Sequence, residues 1–316
     1  MLRGFWRQDS PVGGGSGKGR VDGDPLRACM QLGRYGVIVT RGEQWRAHQD
    51  YEPIFQAALD AIDQRFSLVP EGFVSMPTTV MDEPGCPEMD FETEPFLLGR
   101  TCVTNAEFQQ FVDAGVYEEL EAWPESIWPH LIGFQDQTGK PGPRFWRGGR
   151  HESGKSDHPV VGLCAYEAAT YASWAGFRLP TEAEWQMAAS WRIRTSAHVF
   201  RRYPWGDSHD PKRCNTWASG KGTTVPVSSY PEGAAPNGVV QLIGNVWEWT
   251  SSDLELTDEK GRPVVGDMLM KSIRGGAFDT YFSCQATSHF RTGLACLKRP
   301  HNVGFRLVLD AGRREV

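Results

Sequence analysis

No stretch of this chain keeps a helical or a strand period for long: 35 glycines interrupt the pattern, and 12 tryptophans are spread among them. Glycine lets the backbone take left-handed and tightly turned conformations, and tryptophan fills a large interior volume with a single side chain. Together they imply a core of bulky aromatics joined by irregular backbone, not a bundle of long helices. Three short helical signals stand out. In TNAEFQQFVDAG, Thr104 and Glu107 have capping-box spacing, Phe108, Phe111 and Val112 share a face, and Gly115 suits a left-handed stop. TEAEWQMAAS repeats the box with Thr181 and Glu184, turning Trp185 and Ala188 inward. Between them AYEAATYASWAG closes on Gly176, with Cys164 a poorer cap than a hydroxyl residue. Residues 120–157 keep neither period and are rich in turn formers, which predicts a long ordered loop region. GVVQL, KSIRGG and VGFRLVL are short β-prone runs of a small sheet.

The N-terminal part is of another kind. Residues 1–25 are rich in glycine, serine and charge, and GGGSGKG invites comparison with a phosphate-binding loop. Val12 stands where that loop needs glycine, and Gly19 replaces its magnesium-binding hydroxyl residue, so a flexible linker is expected. From Glu52 to Phe66, Ile54, Ala58, Ala61, Ile62 and Phe66 fall on one helical stripe after Pro53, predicting a helix that docks on the main domain. We therefore divide the chain into an extension, 1–65, and a domain, 66–316. A net charge of -6 leaves no basic field for nucleic acid or an anionic membrane. Without an apolar signal-peptide core or an 18-residue apolar run, the sequence reads as cytoplasmic. The seven cysteines, at 29, 86, 102, 164, 214, 284 and 296, form no C-x-x-C pair, which points to buried thiols and away from zinc or a full disulfide framework.

Five segments, in order and with matching spacing, resemble the formylglycine-generating enzyme (sulfatase-modifying factor) family: CVTNAEFQQFV, HPVVGLCAYEAATYASWAGFRLPTEAEWQMAA, YPWGD, PNGVVQLIGNVWEW, and SIRGGAF with HNVGFRLVL. The resemblance covers about three quarters of the chain and implies an α+β, C-type-lectin-like fold with little regular secondary structure, often holding calcium. Calcium takes six or more oxygens on a tightly turned backbone. The resemblance assigns one such site to the carbonyls of Gly244 and Val246, the carboxylate of Glu248 and the side chain of Gln241, the last in place of a family Asn or Asp. A second site would begin at Asn215 and Thr216, but WASGKGTTVPV after them has no Asp, so it is expected to be degraded. The alternative is that Glu248 and Asn245 tie down the loop by hydrogen bonds alone.

In RGGAFDTYFSCQATSHFRTG the family's oxidases carry two cysteines five residues apart, because Cu(I) is held by two soft thiolates. Here Cys284 lies near the second position, the first falls at Asp279 or Thr280, and Ala277 replaces a family serine. One thiolate does not make that copper site, so copper is not expected. The iron-dependent sulfoxide synthases of the same family draw histidines from an N-terminal four-helix domain, for which 65 residues are too few; His48, one turn from Glu52, is the only nearby candidate.

Two functions compete. One is a binding module for a protein or small-molecule ligand, recognising it between residues 277 and 302 through Thr280, Tyr281, Phe282, Ser283, Gln285, Ser288, His289 and Phe290, with Trp247 and Asn302 at family pocket positions. A sharper version is a variable protein of a diversity-generating retroelement, whose ligand-binding segment lies in this part of the same fold. The other is a metal-dependent oxidase with an altered site, using Cys284 and His289. A subunit domain serving a kinase, protease or NTPase partner is a third reading. The sequence does not fix the oligomeric state.

Overall fold

The computed structural model describes residues 24–77, 88–190, 201–255, 262 and 269–311. The glycine-rich linker before residue 24 and Cys86 lie outside them. Three helices open the described chain: α1 (Pro25–Gln31), α2 (Tyr35–Thr40) and α3 (Tyr51–Arg65). Asp24 caps α1, its carboxylate accepting from Leu26 N at 3.0 Å, with Pro25 at the first helical position. The stripe predicted on α3 is present, with Ala58 and Ile62 fully buried.

These helices share one core with the rest of the chain: Leu26, Val37, Ile38 and Ile62 belong to the apolar cluster that holds Phe108, Phe111, Trp249 and Phe305. Close backbone contact explains how α2 seats there. A Cβ on Gly36 would lie 2.3 Å from the Gly176 carbonyl oxygen, and one on Gly176, at φ +83°, would lie 2.0 Å from Val37 N. The glycine that ends a later helix is thus also where α2 packs. Arg34 adds a bond of 2.7 Å from its Nε to the Trp174 carbonyl and lies over that indole.

The strands form three small sheets. β1 (Phe66–Val69), β4 (Phe96–Gly99) and β9 (Val308–Asp310) make an antiparallel sheet, and β2 (Gly72–Pro77) pairs with β3 (Glu88–Thr93) in a two-stranded ribbon. The third has the order β7-β6-β5-β8, with β5 (Trp247–Asp253), β6 (Met270–Arg274), β7 (Thr292–Ala295) and β8 (Val303–Gly304). Both expected capping boxes are present. Thr104 and Glu107 exchange bonds at the start of α4 (Asn105–Asp113), and Thr181 and Glu184 do so before α7 (Glu182–Ser190). The loop region carries two 3-10 turns, Leu120–Ala122 and Glu125–Ile127, and one short α-helix, α5 (Trp128–Leu131), and fills its share of the core with Trp123, Ile127, Phe134 and Trp146. Between it and α7, α6 (Ala165–Ala175) runs to Gly176 in the left-handed conformation; the Glu167 carboxylate accepts from Cys164 N where a hydroxyl cap is missing.

One expected strand is not a strand. GVVQL carries left-handed backbone at Gly238 (φ +84°) and Gln241 (φ +55°), which strand pairing does not tolerate, and it runs as bent, irregular backbone instead. No helix among the described residues is long and apolar enough to cross a membrane.

Candidate functional site

The GNVWEW turn and the segment after Arg274 lie back to back, and their polar groups are engaged very differently. Beneath the turn, Glu248 is fully buried. Arg306 donates to its two oxygens at 2.6 and 2.5 Å, Trp185 Nε1 donates at 2.8 Å, and the Cys102 thiol approaches at 3.4 Å. Burial, with the neighbouring Glu248 carboxylate, pushes the Cys102 thiol well above its usual range. A second buried knot joins Glu182 to Arg274 and Arg291 at 2.7 and 2.8 Å. Burial alone would raise the Glu182 carboxyl, but the two guanidinium groups outweigh it and hold it down at about 2.

The turn itself is tied by carboxamides. Asn215 Nδ2 donates to the Thr223 carbonyl and to Asn245 Oδ1 at 2.9 and 3.0 Å, and Asn245 Nδ2 donates to the Val225 carbonyl and to Gln241 Oε1 at 3.1 and 2.7 Å. Gln241 Nε2 then donates to the carbonyls of Pro226 and Ser229, both at 2.9 Å. Gly244 is required where the two segments touch, since a Cβ there would lie 2.6 Å from the Asn215 carbonyl oxygen.

This arrangement does not fit the calcium site that the resemblance assigned. Gln241 turns a donor nitrogen, not an oxygen, toward the surrounding carbonyls. Gly244 O already accepts from Val246 N at 2.9 Å. The charge of Glu248 is balanced by Arg306, and Asn215 is spent on the loop that follows it. An amide nitrogen at Gln241 and the Arg306 guanidinium on Glu248 take up two of the four assigned places, where a hard cation would need free oxygens.

The outer segment begins with a turn in which Thr280 N donates to the Ala277 carbonyl at 3.0 Å and Ala277 N to Thr280 Oγ1 at 2.8 Å. The Thr280 carbonyl accepts from Trp217 N at 3.2 Å, which brings the indole against Tyr281, ring centres 6.0 Å apart, and Tyr281 meets Phe282 edge-on at 5.2 Å. These three rings are 59%, 68% and 59% exposed, in the order Trp217, Tyr281, Phe282. Ser283 and Cys284 follow on the exposed side, and Gln285 is half-buried. On the other side of the turn Asn302 Nδ2 donates to both oxygens of Asp279, at 3.0 and 3.1 Å, and His301 Nε2 lies 3.2 Å from that carboxylate. The Asn302 carbonyl accepts from Trp247 N at 2.9 Å, and the Trp247 ring packs at 6.0 Å from Phe290.

Three residues expected on the recognition surface are interior. Thr280 is the hinge of the turn just described, and Ser288 spends its hydroxyl on the carbonyls of Arg201 and Arg202 at 2.6 and 3.0 Å while its own carbonyl accepts from Arg274. His289 is buried beside the Ser288 hydroxyl, 3.2 Å away, so it does not face a ligand beside the exposed Cys284. Cys29, Cys102, Cys164, Cys214 and Cys296 are buried free thiols, and Cys296 Sγ points at the Leu269 carbonyl, 3.2 Å away. His48 bridges the first turns of the extension, 3.0 Å from Asp24 and accepting from Asp50 N at 3.1 Å. Sequence reasoning missed Trp217, whose only signal was its place in WASGKG after the Asn215-Thr216 pair, and gave no ligand-binding role to Asp279.

Short helices and small sheets, wrapped around a polar-cored turn that carries a long loop on its outer face, define a C-type-lectin-like protein. The chain belongs to the sulfatase-modifying factor family: residues 27–311 match the "Sulfatase-modifying factor enzyme 1-like domain". Hercynine oxygenase of Mycobacterium tuberculosis is 39% identical over 211 residues, which cover 63% of this chain and 44% of that protein. The chain therefore spans less than half the length of that relative. The formylglycine-generating enzyme of Streptomyces coelicolor is 33% identical over 260 residues, covering 69% of this chain and 79% of the enzyme. Among solved structures, Treponema denticola variable protein 1 shares the fold with a TM-score of 0.54 at 15% identity, over 78% of this chain and 94% of that one.

Proposed function

We propose that the chain is a recognition module, in which the lectin-like frame holds the segment between 277 and 302, with Trp217, against a protein or small-molecule ligand. The carrying observation is the exposed trio Trp217, Tyr281 and Phe282: large rings that touch one another and sit on a turn fixed by buried hydrogen bonds. Rigid aromatic anchors lose little side-chain entropy on binding. The net charge of -6 favours such ligands over nucleic acid or an anionic membrane. Copper chemistry of the bis-thiolate kind has Asp279 or Thr280 where the resemblance places its first sulfur, and among the described residues a bound Cu(I) would have Cys284 alone at the surface. The fold of the Treponema variable protein supports the narrower reading of a diversified ligand-binding segment, for which the check is a near-identical downstream repeat differing only at adenines.

The module is tested by following the Trp217 indole N–H resonance while small aromatic compounds and amines are titrated in. Saturable shifts in the wild type that vanish in Tyr281→Ala are expected; an indole untouched by every compound sinks the reading. The 39% identity to hercynine oxygenase favours a second reading, a metal-dependent oxygenase or oxidase in which the same surface closes over substrate. Anaerobic titrations of Cu(I) and of Fe(II) test it: stoichiometric uptake by the reduced protein, lost for copper in Cys284→Ser, would favour the enzyme, and no uptake of either would remove it.

A further inference from the structure

We infer that Asp279 is the anchoring anion of a subsite for a cationic nitrogen, an ammonium or guanidinium group, on the ligand that the aromatic trio receives. The inference rests on the recognition reading and adds the ligand's charge to it. Asp279 is half-buried, with 31% of its side chain exposed, and its carboxylate is oriented by a neutral amide. The Asn302 carboxamide donates to both oxygens, which fixes the group without cancelling its charge. Among the described residues the ion pair that reaches it is with His301 alone, and that ring, 59% exposed, carries a positive charge only when protonated. The contrast with Glu182 and Glu248 is sharp, since each of those carboxylates is covered by permanent guanidinium groups.

A carboxylate has room for about four hydrogen bonds. Oδ1 of Asp279 accepts from Asn302 Nδ2, which leaves acceptor capacity on the open side. Aromatic residues stand on either side of it in the chain. The residue after it, Thr280, holds the backbone of Trp217 through its carbonyl, and Tyr281 and Phe282 follow directly. On the far side Phe278 and the part-exposed Phe145 pack against the His301 ring at 5.8 and 6.4 Å. An oriented carboxylate attracts a cation by a charge-assisted hydrogen bond, and the exposed rings that follow it in sequence offer their quadrupoles to the same group. A neutral ligand of the same shape gains neither, and an anion is repelled.

The test compares charged probes with uncharged isosteres on the full chain, read by the Trp217 and Trp247 indole resonances. Benzylamine against benzyl alcohol represents a small-molecule source, and N-acetyllysine amide against N-acetylnorleucine amide a peptide source. In at least one pair the cation is expected to bind about tenfold tighter, which corresponds to 1.4 kcal/mol, and Asp279→Asn is expected to erase that preference while near-UV dichroism stays unchanged. Asp279→Ser, which removes the carboxylate without offering Asn302 a second amide, should behave alike. Equal binding of cation and isostere, a preference that survives both variants, or no saturable binding by any cation overturns the inference. Benzyl alcohol binding that Tyr281→Ala abolishes, with no preference for charge, would overturn it while leaving the recognition module in place; Cu(I) uptake by Cys284 would instead strike at the module.

Discussion

Glu248 and Asp279 are both acidic side chains within one small sheet and its loops, and they live under opposite rules. Glu248 has no exposed surface and is gripped by Arg306 and Trp185; Asp279 is part-exposed and oriented by an amide beside a histidine. A buried charge left unpaired is severely destabilising, so the first site is closed by its own chemistry. The second has no such constraint, because water screens it. The frame is thus over-determined by paired polar groups, while the surface is built mostly of side chains that touch only their neighbours. That division lets a lectin-like frame vary its outer face without unfolding.

The comparison is broken most directly from the frame side. Arg306→Ala should cost about 3–5 kcal/mol, because it strands Glu248 in the interior and also removes donors to the Gly99 and Val240 carbonyls. Urea unfolding reads this directly, and a loss below about 1 kcal/mol, the scale of an exposed pair, would show the frame to be no more tightly held than the surface. The Glu182 knot gives a pH signature of similar size. Its carboxyl is depressed from 4.5 to about 2 in the folded chain, so its stabilisation is fully present above the unfolded value and is lost as pH falls from 4.5 toward 2. The shift corresponds to about 3 kcal/mol. Glu182→Gln should be less stable at pH 7 and should lose less stability than the wild type across that acid window; equal slopes would dismiss the ion-paired assignment.

Smaller effects are expected in the carboxamide relay. Asn245→Ala removes the partner of Asn215, Gln241 and the Val225 carbonyl in a buried turn, at about 1–3 kcal/mol for the polar groups left unpaired. Asn also tolerates the left-handed φ of +69° better than Ala does. Because Gln241 presents an amide nitrogen and Arg306 covers Glu248, adding calcium or a chelator should leave the wild-type melting temperature in place. A rise of several degrees with calcium would overturn that account of the turn.

How much of this was legible follows from how local each signal is. The boxes at Thr104 with Glu107 and at Thr181 with Glu184, and the stripe on α3, are set by residues three or four apart, and they formed as read. The pairing of Glu248 with Arg306 spans 58 residues, and that of Glu182 with Arg291 spans 109; no spacing rule reaches so far. GVVQL had the composition of a strand, but left-handed backbone at Gly238 and Gln241 decided otherwise. Around the site, a loop without a period gives no signal of which side chains turn inward. Ser288 and His289 therefore read like Tyr281 and Phe282, although the first pair is buried and the second is exposed. The role of Trp217 was illegible for the same reason: 63 residues separate it from Thr280, to whose carbonyl its N–H donates.

The least destabilising changes are the ones that sharpen the comparison most. Trp217→Ala, Tyr281→Ala and Phe282→Ala each remove a ring whose surface is already more than half in water, so each should alter unfolding free energy by no more than about 0.5 kcal/mol. The same changes remove the large exposed rings the outer segment offers to a ligand, and anchors of this kind commonly carry more than about 1 kcal/mol of binding energy each. Stability and recognition should therefore separate at these positions and move together at Arg306. Should any of the three instead destabilise the chain as much as Asn245→Ala does, that ring would belong to the frame, and the boundary between the two regions would run outside it.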